Sequence, residues 1–359
     1  MTATTHPEFN EKTEGMEVAK AFAEAIRGKT ILVTGVNRGG IGFTTSEALA
    51  SELPGHLIIA GRNPSKTQES RDALKTQFSN VDYRPLKLDL SSQQAVRAAA
   101  AEVLSWSDIP AIDIVVNSAA VMNIPERTLG EDGIEMHFAT NHIAHFLFTC
   151  LIMPKLLKAA EANPKGATRV ISVSSLSPQT ACMRWSDINF EKRNKDLPET
   201  ERPFYDMHRL WGAKDMENKA HLPLEGYNQS KVANVLFGIG ANKRLCDSHG
   251  ILSLAVHPGI IATELGRHNL PETKEAIQDM RKKGLFYYKT MGAGAATSLV
   301  AALDPKLGAS ETKGGKENYG AYLIDCQISD KASPRAVSSD EAEKLWKLSE
   351  ELVKEKFAW

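Results

Sequence analysis

The chain has 359 residues, 42% of them hydrophobic, with 43 basic against 44 acidic side chains and a net charge of −1. That is ample for one large α/β domain with its own core, and the well-mixed charge gives no electrostatic reason to expect nucleic acid or an anionic membrane as partner. The four cysteines, Cys150, Cys182, Cys246 and Cys326, are scattered without close pairs, which speaks against a disulfide framework or a zinc site and fits reduced thiols in a cytoplasmic protein.

The N-terminal stretch 1–15 is polar, carries Glu8, Glu11 and Glu14, and lacks the basic start and apolar run of a secretory signal. No stretch reaches the ~20 apolar residues of a membrane span, so the expectation is a cytoplasmic protein with no membrane. Residues 16–26 read as a short amphipathic helix, with Val18, Phe22 and Ile26 on one face and Gly28 as stop signal, inside an N-terminal helical extension of residues 1–28.

Residues 30–34 form a short apolar, β-branched run that reads as a buried strand. It leads into Gly35, Val36, Asn37, Arg38, Gly39, Gly40, Ile41 and Gly42, and then a helix over 44–53. Strand, glycine-rich turn and helix in that order build a phosphate-binding unit, because glycines let the backbone approach a pyrophosphate seated on the helix N-terminus. A second strand at 57–60 ends in Gly61, Arg62 and Asn63, where such a unit addresses the adenosine ribose. An acidic residue there would bind the ribose hydroxyls, but none occurs between His56 and Glu69. Arg62 instead suits a 2′-phosphate, with Arg38 as a second anion contact, which favours NADP(H) over NAD.

A third strand at 81–90 ends in Leu88, Asp89 and Leu90, an alanine-rich helix follows at 91–104 with Ser91 or Ser92 as cap, and a fourth strand at 112–116 leads into Asn117, Ser118, Ala119 and Ala120. Residues 134–157 read as one or two helices containing Asn141 and the histidines His137, His142 and His145, whose spacing does not make a metal site. A fifth strand at 169–175 ends on the hydroxyls of Ser174 and Ser175, and a sixth at 252–256 ends in His257, Pro258 and Gly259 with Thr263 beyond. Alternating strands and helices predict a doubly wound parallel sheet, with ligands at the strands' C-terminal ends.

Tyr227 and Lys231 stand one turn apart at the head of the apolar-periodic segment 232–245. A free phenol has a pKa near ~10, and a cation close by brings it toward neutrality, where it can trade a proton with a ketone or an alcohol.

In this order the loop of Gly35 to Gly42, Asp89, the segment of Asn117 to Ala120, Asn141, Ser175, Tyr227 with Lys231, and Pro258 with Gly259 resemble the short-chain dehydrogenase/reductase family, over residues 29 to the C-terminal helix. Residues 227–234, His257, and Leu345, Trp346, Lys347, Leu348 and Ser349 are similar to its retinol-dehydrogenase-like and fungal reductase branches. The glycine loop is one residue longer than the family spacing, leaving the later glycine roles to Gly40 and Gly42, and Ala120 stands where the family commonly has glycine.

The resemblance implies Tyr227 as general acid/base, Lys231 lowering its pKa and bonding the nicotinamide ribose, Ser175 (rather than Ser174) holding the substrate oxygen, and Asn141 anchoring a water chain. It implies NADP(H) contacts from Gly35, Asn37, Arg38, Gly40, Ile41, Gly42, Arg62, Asn63, Asp89, Leu90, Asn117, Ala119, Tyr227, Lys231, Pro258, Gly259 and Thr263, and a homodimer or tetramer. The fold expected over 29–359 is a single Rossmann-like sheet flanked by helices, with insertions at 176–226 and 260–291 walling a pocket for a bulky, apolar small molecule. Two other functions keep the same fold and cofactor: non-redox chemistry such as dehydration, isomerisation or cyclisation, and an NADP sensor without turnover. The intact Ser175, Tyr227 and Lys231 argue against a sensor, which needs no acid/base.

Overall fold

In the computed structural model, residues 3–359 are described, and Met1 and Thr2, the start of the expected N-terminal extension, lie outside the described residues. The strands are β1 (Thr30–Thr34), β2 (His56–Gly61), β3 (Asp82–Lys87), β4 (Ile114–Asn117), β5 (Thr168–Val173), β6 (Ile251–His257), β7 (Glu311–Lys313), β8 (Lys316–Tyr319), β9 (Tyr322–Ile324) and β10 (Gln327–Ile328). The main sheet runs β10-β9-β6-β5-β4-β1-β2-β3, parallel throughout except for β10, which pairs antiparallel with β9. Every residue of β1, β5 and β6 is buried, as strands covered by helices on both faces require. Two apolar cores lie on either side, one holding Val96, Phe146, Val235 and Trp346 and the other Val18, Leu49, Leu254 and Leu299.

The chain winds outward one way from β1 to β3 and the other way from β4 to β9, so the crevice opens at the C-terminal ends of β1 and β4. Several elements differ from expectation in informative ways. The third strand stops at Lys87, so Leu88, Asp89 and Leu90 form the loop beyond it, and the fifth stops at Val173, freeing Ser174 and Ser175 for the crevice. The N-terminal helix breaks at Phe22 into Gly15–Ala21 and Ala23–Ile26, with the first piece lying across the helix Met291–Leu303. The sequence pattern predicts one strand over 319–324, but β8 ends at Tyr319 and Gly320, with φ at +103°, turns the chain before β9 begins at Tyr322.

The segment around Asn141 is not a regular helix: a short turn Met136–Phe138 passes through a π-helical turn Ala139–Ile143 into Ala144–Leu151. Such an extra residue per turn often marks a functional position. The helix carrying Tyr227 is Pro223–His249, longer than the periodic segment announced, and Gly250 ends it in a left-handed conformation with φ at +72°. No single helix among the described residues is long and apolar enough to cross a membrane.

Candidate active site

The glycine loop connects β1 to the helix Ile41–Ala50. Gly35 has φ at +74°, and a Cβ there would lie 2.7 Å from the Ala119 Cα, so the loops after β1 and β4 touch backbone to backbone. At Gly42 a Cβ would sit 2.7 Å from the Gly35 carbonyl oxygen. Gly39, the glycine with the least certain role in the sequence, has φ at +79° and open space around it, while Gly40 is the residue before the helix. No side chain caps this helix and no acidic residue occupies its first turn, so its N-terminal amides are a donor set that fits a pyrophosphate.

Arg38 and Arg62 are exposed beside this loop and at the end of β2. Other predicted contact residues use their side chains for the fold. Asn63 Oδ1 caps the helix Pro64–Gln77 by accepting from the Ser65 and Lys66 amides at 3.0 and 3.3 Å. Asp89 Oδ1 accepts from the Ser91 amide and hydroxyl at 3.0 and 2.7 Å, and Leu90 is buried. Asn117 turns inward, its Nδ2 donating to Thr149 Oγ1 at 3.1 Å, and Thr263 caps the short turn Glu264–His268. Gly259, with φ at +101°, passes over the Lys289 side chain, whose Nζ is 2.5 Å from Asp325 Oδ1, and Pro258 beside it is buried.

At the heart of the crevice, Ser175 follows β5 and faces the first turns of Pro223–His249, where Tyr227 and Lys231 are buried. The Asn141 side chain spans the gap to the β4 loop, accepting from the Val121 amide at 2.8 Å and donating to the Val121 carbonyl and to Ser230 Oγ, each at 2.9 Å. His145 joins this group to the glycine loop, its Nε2 3.0 Å from Thr34 Oγ1 and its Nδ1 3.2 Å from the Asn141 carbonyl. Thr34 Oγ1 in turn accepts from the amides of Ser118 and Ala119 at 3.0 Å. Strand β1, the β4 loop and Asn141 are thereby locked in one frame.

The electrostatics depart from expectation. Burial pushes the Tyr227 phenol well above its ordinary pKa, opposed by the Ser175 side chain, and Lys231 does not bring it down. Burial acts on Lys231 too, lowering it from 10.5 to about 7. The ammonium lies 5.5 Å from the tyrosine ring and donates to the Val173 carbonyl at 2.8 Å, so in the protein alone desolvation outweighs any attraction between the two.

The histidines of the 134–157 region also sort differently from their spacing. His142 bonds Ser349 Oγ at 2.8 Å and is pushed down to about 3 by burial, while His145, lowered to about 4 by burial, serves the frame just described. His137 Nδ1 is 2.6 Å from Glu135 Oε1, and its Nε2 accepts from the Ile124 amide at 3.2 Å. His221, distant in sequence, joins them, and the three offer ligand atoms within 4.8 Å of one another. Both His137 nitrogens are thus already engaged within the protein. A Cβ on Gly226 would meet His137 Nδ1 at 2.7 Å, so this cluster seats the residue just before Tyr227.

Residues 29–186 match the model of the short chain dehydrogenase family. An oxidoreductase named fscI from Fusarium equiseti is 36% identical over 251 residues, which are 70% of this chain and 94% of that protein. The chain belongs to the short-chain dehydrogenase/reductase family. Retinol dehydrogenase 13 of Mus musculus is 32% identical over 91% of this chain and 84% of its own length, in keeping with the retinol-dehydrogenase-like branch. Among solved structures, an uncharacterised protein from Mycobacterium paratuberculosis superposes with a TM-score of 0.59 at 24% identity, covering 93% of this chain and 96% of that one. The Pseudomonas aeruginosa RhlG complex with NADP gives 0.55 at 20% identity, over 84% and 96%. These likenesses establish the Rossmann-type sheet of the family.

Sequence reasoning missed several residues that the structure places against Ser175 and its neighbours. Tyr322, at the start of β9, donates its hydroxyl to the Ser175 carbonyl, and no local motif announces it. Ser177 and Asn228 flank the family motif residues and bond to each other. Their position beside Ser175 and Tyr227 in sequence was the available signal.

Proposed function

We propose that the protein is an NADP(H)-dependent oxidoreductase that interconverts a carbonyl and a secondary alcohol on a bulky, largely apolar small molecule. The observation that carries this reading is the convergence of Ser175, Tyr227 and Lys231 at the buried end of β5, with Asn141 held on the opposite side by Ser230. A bound nicotinamide supplies or accepts the hydride. The chain's own residues handle the oxygen: Ser175 hydrogen-bonds it, and Tyr227 gives it a proton in reduction or takes one in oxidation. Negative charge developing there favours the charged form of Lys231, reversing the effect of burial as the reaction proceeds.

Arg38 and Arg62, exposed and without an acidic residue between His56 and Glu69, support the 2′-phosphorylated cofactor. A cavity of about 220 Å³ between the segments 176–226 and 260–291 is lined by apolar Trp211, Leu222 and Leu270 and by polar His208, Lys219 and Glu272; it lies beside the crevice and not over Ser175 or Tyr227, so support for a bulky substrate comes from the length of the two insertions that build it. The names of the retinol dehydrogenase relatives are in keeping with that class.

The test is nicotinamide absorbance with NADPH and NADH over a panel of bulky ketones and aldehydes, beside Tyr227→Phe. Oxidation of NADPH lost in Tyr227→Phe upholds the reading. A product formed without any absorbance change replaces it with non-redox chemistry, and failure to bind either cofactor refutes it.

A further inference from the structure

The insertion 176–226 reaches the reacting centre through an unbroken hydrogen-bond chain. Buried His208, on its helix Tyr205–Leu210, places Nε2 2.7 Å from Glu225 Oε2. The same carboxylate oxygen accepts from Asn228 Nδ2 at 3.1 Å. Asn228 Oδ1 accepts from Ser177 Oγ at 2.8 Å, and Ser177 Oγ lies 2.6 Å from Ser175 Oγ. The Ser177 amide also donates to Ser175 Oγ, at 3.0 Å.

The polarity of this chain follows from its far end. Glu225 is buried, and although burial alone would raise its pKa, the bonds from His208 and Asn228 hold it below the ordinary value, so it is a carboxylate and only accepts. Asn228 must turn its amide N–H to Glu225 and its carbonyl to Ser177. The Ser177 hydrogen is then committed to Asn228, and Ser177 Oγ is left as an acceptor for the Ser175 hydrogen.

On the reading of function given above, we propose that Ser177 and Asn228, oriented by Glu225 and His208, are positioning residues that set the direction of the Ser175 hydroxyl. Ser175 donates to a carbonyl oxygen when one is present. When that oxygen carries its own hydrogen, as in the alcohol, Ser175 Oγ accepts a hydrogen bond from it and turns its own hydrogen to donate to Ser177 Oγ, every hydrogen staying on its own oxygen. No proton is gained or lost in this rotation, so the chain orients and does not conduct. The insertion is thereby part of the reaction geometry as well as a wall of the pocket.

The experiment is a double-mutant cycle on the full chain. Ser175→Ala is expected to lower kcat about 100-fold as a lost oxygen donor, and Ser177→Ala about 10-fold with KM little changed, as a loss of orientation. In the Ser175→Ala background, Ser177→Ala is expected to cost nothing further, because it acts only through Ser175. Ser177→Thr, which keeps the hydroxyl, restores the rate, and Asn228→Leu repeats the loss of Ser177→Ala. An equal loss from Ser177→Ala with and without Ser175 overturns the proposal. Neutron diffraction on the deuterated protein gives a readout free of turnover: deuterium on Ser177 facing Asn228 and on Ser175 facing Ser177 is expected, and the opposite order overturns the chain. Absence of carbonyl turnover in the wild type would refute the function while leaving the deuterium positions decisive for the chain.

Discussion

Replacing Lys231 by methionine should make the cofactor-free protein more stable while removing its activity. The side chain is 2% exposed, and its fall from 10.5 to about 7 is caused by burial. At about 1.4 kcal/mol per tenfold in acidity, that distance is a cost of roughly 5 kcal/mol for carrying the ammonium inside. The Val173 carbonyl does not lose its last partner, because Asn234 Nδ2 also donates to it at 3.2 Å. Unfolding entropy scales with length, so for a chain of this size each kcal/mol is worth about 1–2 °C, and Lys231→Met should raise Tm by roughly 5 °C at neutral pH.

The pH dependence gives a sharper signature. With its folded pKa below its unfolded one, Lys231 binds fewer protons in the folded chain between pH 7 and 10.5. Wild-type stability therefore rises with pH through that window, the cost being fully present below it and gone above it. The gap between Lys231→Met and wild type should be widest below pH 7 and should close toward pH 10, as read by scanning calorimetry at a series of pH values. A gap that is flat, that widens with pH, or that has the opposite sign at pH 7 would refute the burial argument.

Gly35→Ala should cost about 2–4 kcal/mol and weaken cofactor binding, since the residue is left-handed and its Cβ would strike the Ala119 backbone; chemical denaturation and cofactor titration measure both. Arg184→Met should cost about 2–3 kcal/mol by removing the cation 2.6 Å from buried Asp187 Oδ2, a carboxylate that keeps only the Glu191 and Lys192 amides as partners, and would show as a lower denaturation midpoint. Arg62→Glu should weaken NADPH binding about 10- to 100-fold and leave NADH nearly unchanged, as followed by nucleotide fluorescence; equal effects on both would remove the 2′-phosphate argument.

The parallel sheet was legible because β1, β2, β5 and β6 are rich in β-branched and apolar residues without strict alternation, a pattern that suits burial between two helical layers. The proximity of the candidate pair was legible because Tyr227 and Lys231 sit on one helix, where spacing alone sets it. What escaped notice depends on contacts between elements far apart in sequence. His221 meets Glu135 only after the insertion folds back, and Tyr322 reaches Ser175 only across the β6 to β9 pairing. The direction of the pKa shifts at Tyr227 and Lys231 was likewise hidden, because charge pairs can be read from spacing but depth of burial cannot.

The bridge from Thr34 through His145 to Asn141 has a bearing on timing. Because the glycine loop, the β4 turn and the π-helical turn share one set of bonds, the floor of the crevice has no independent parts to rearrange between catalytic cycles. The opposite side is built otherwise: in the helix Pro271–Lys282 only Met280 is buried, and Leu270, Leu285 and Tyr287 around it are exposed. Segments with so little buried surface open at low free energy, so this side of the crevice yields more readily than the floor, and a motion there would gate the admission and release of ligands. The enzyme's pace would then be set by its roof, and changes made there would alter turnover without touching any atom that reacts.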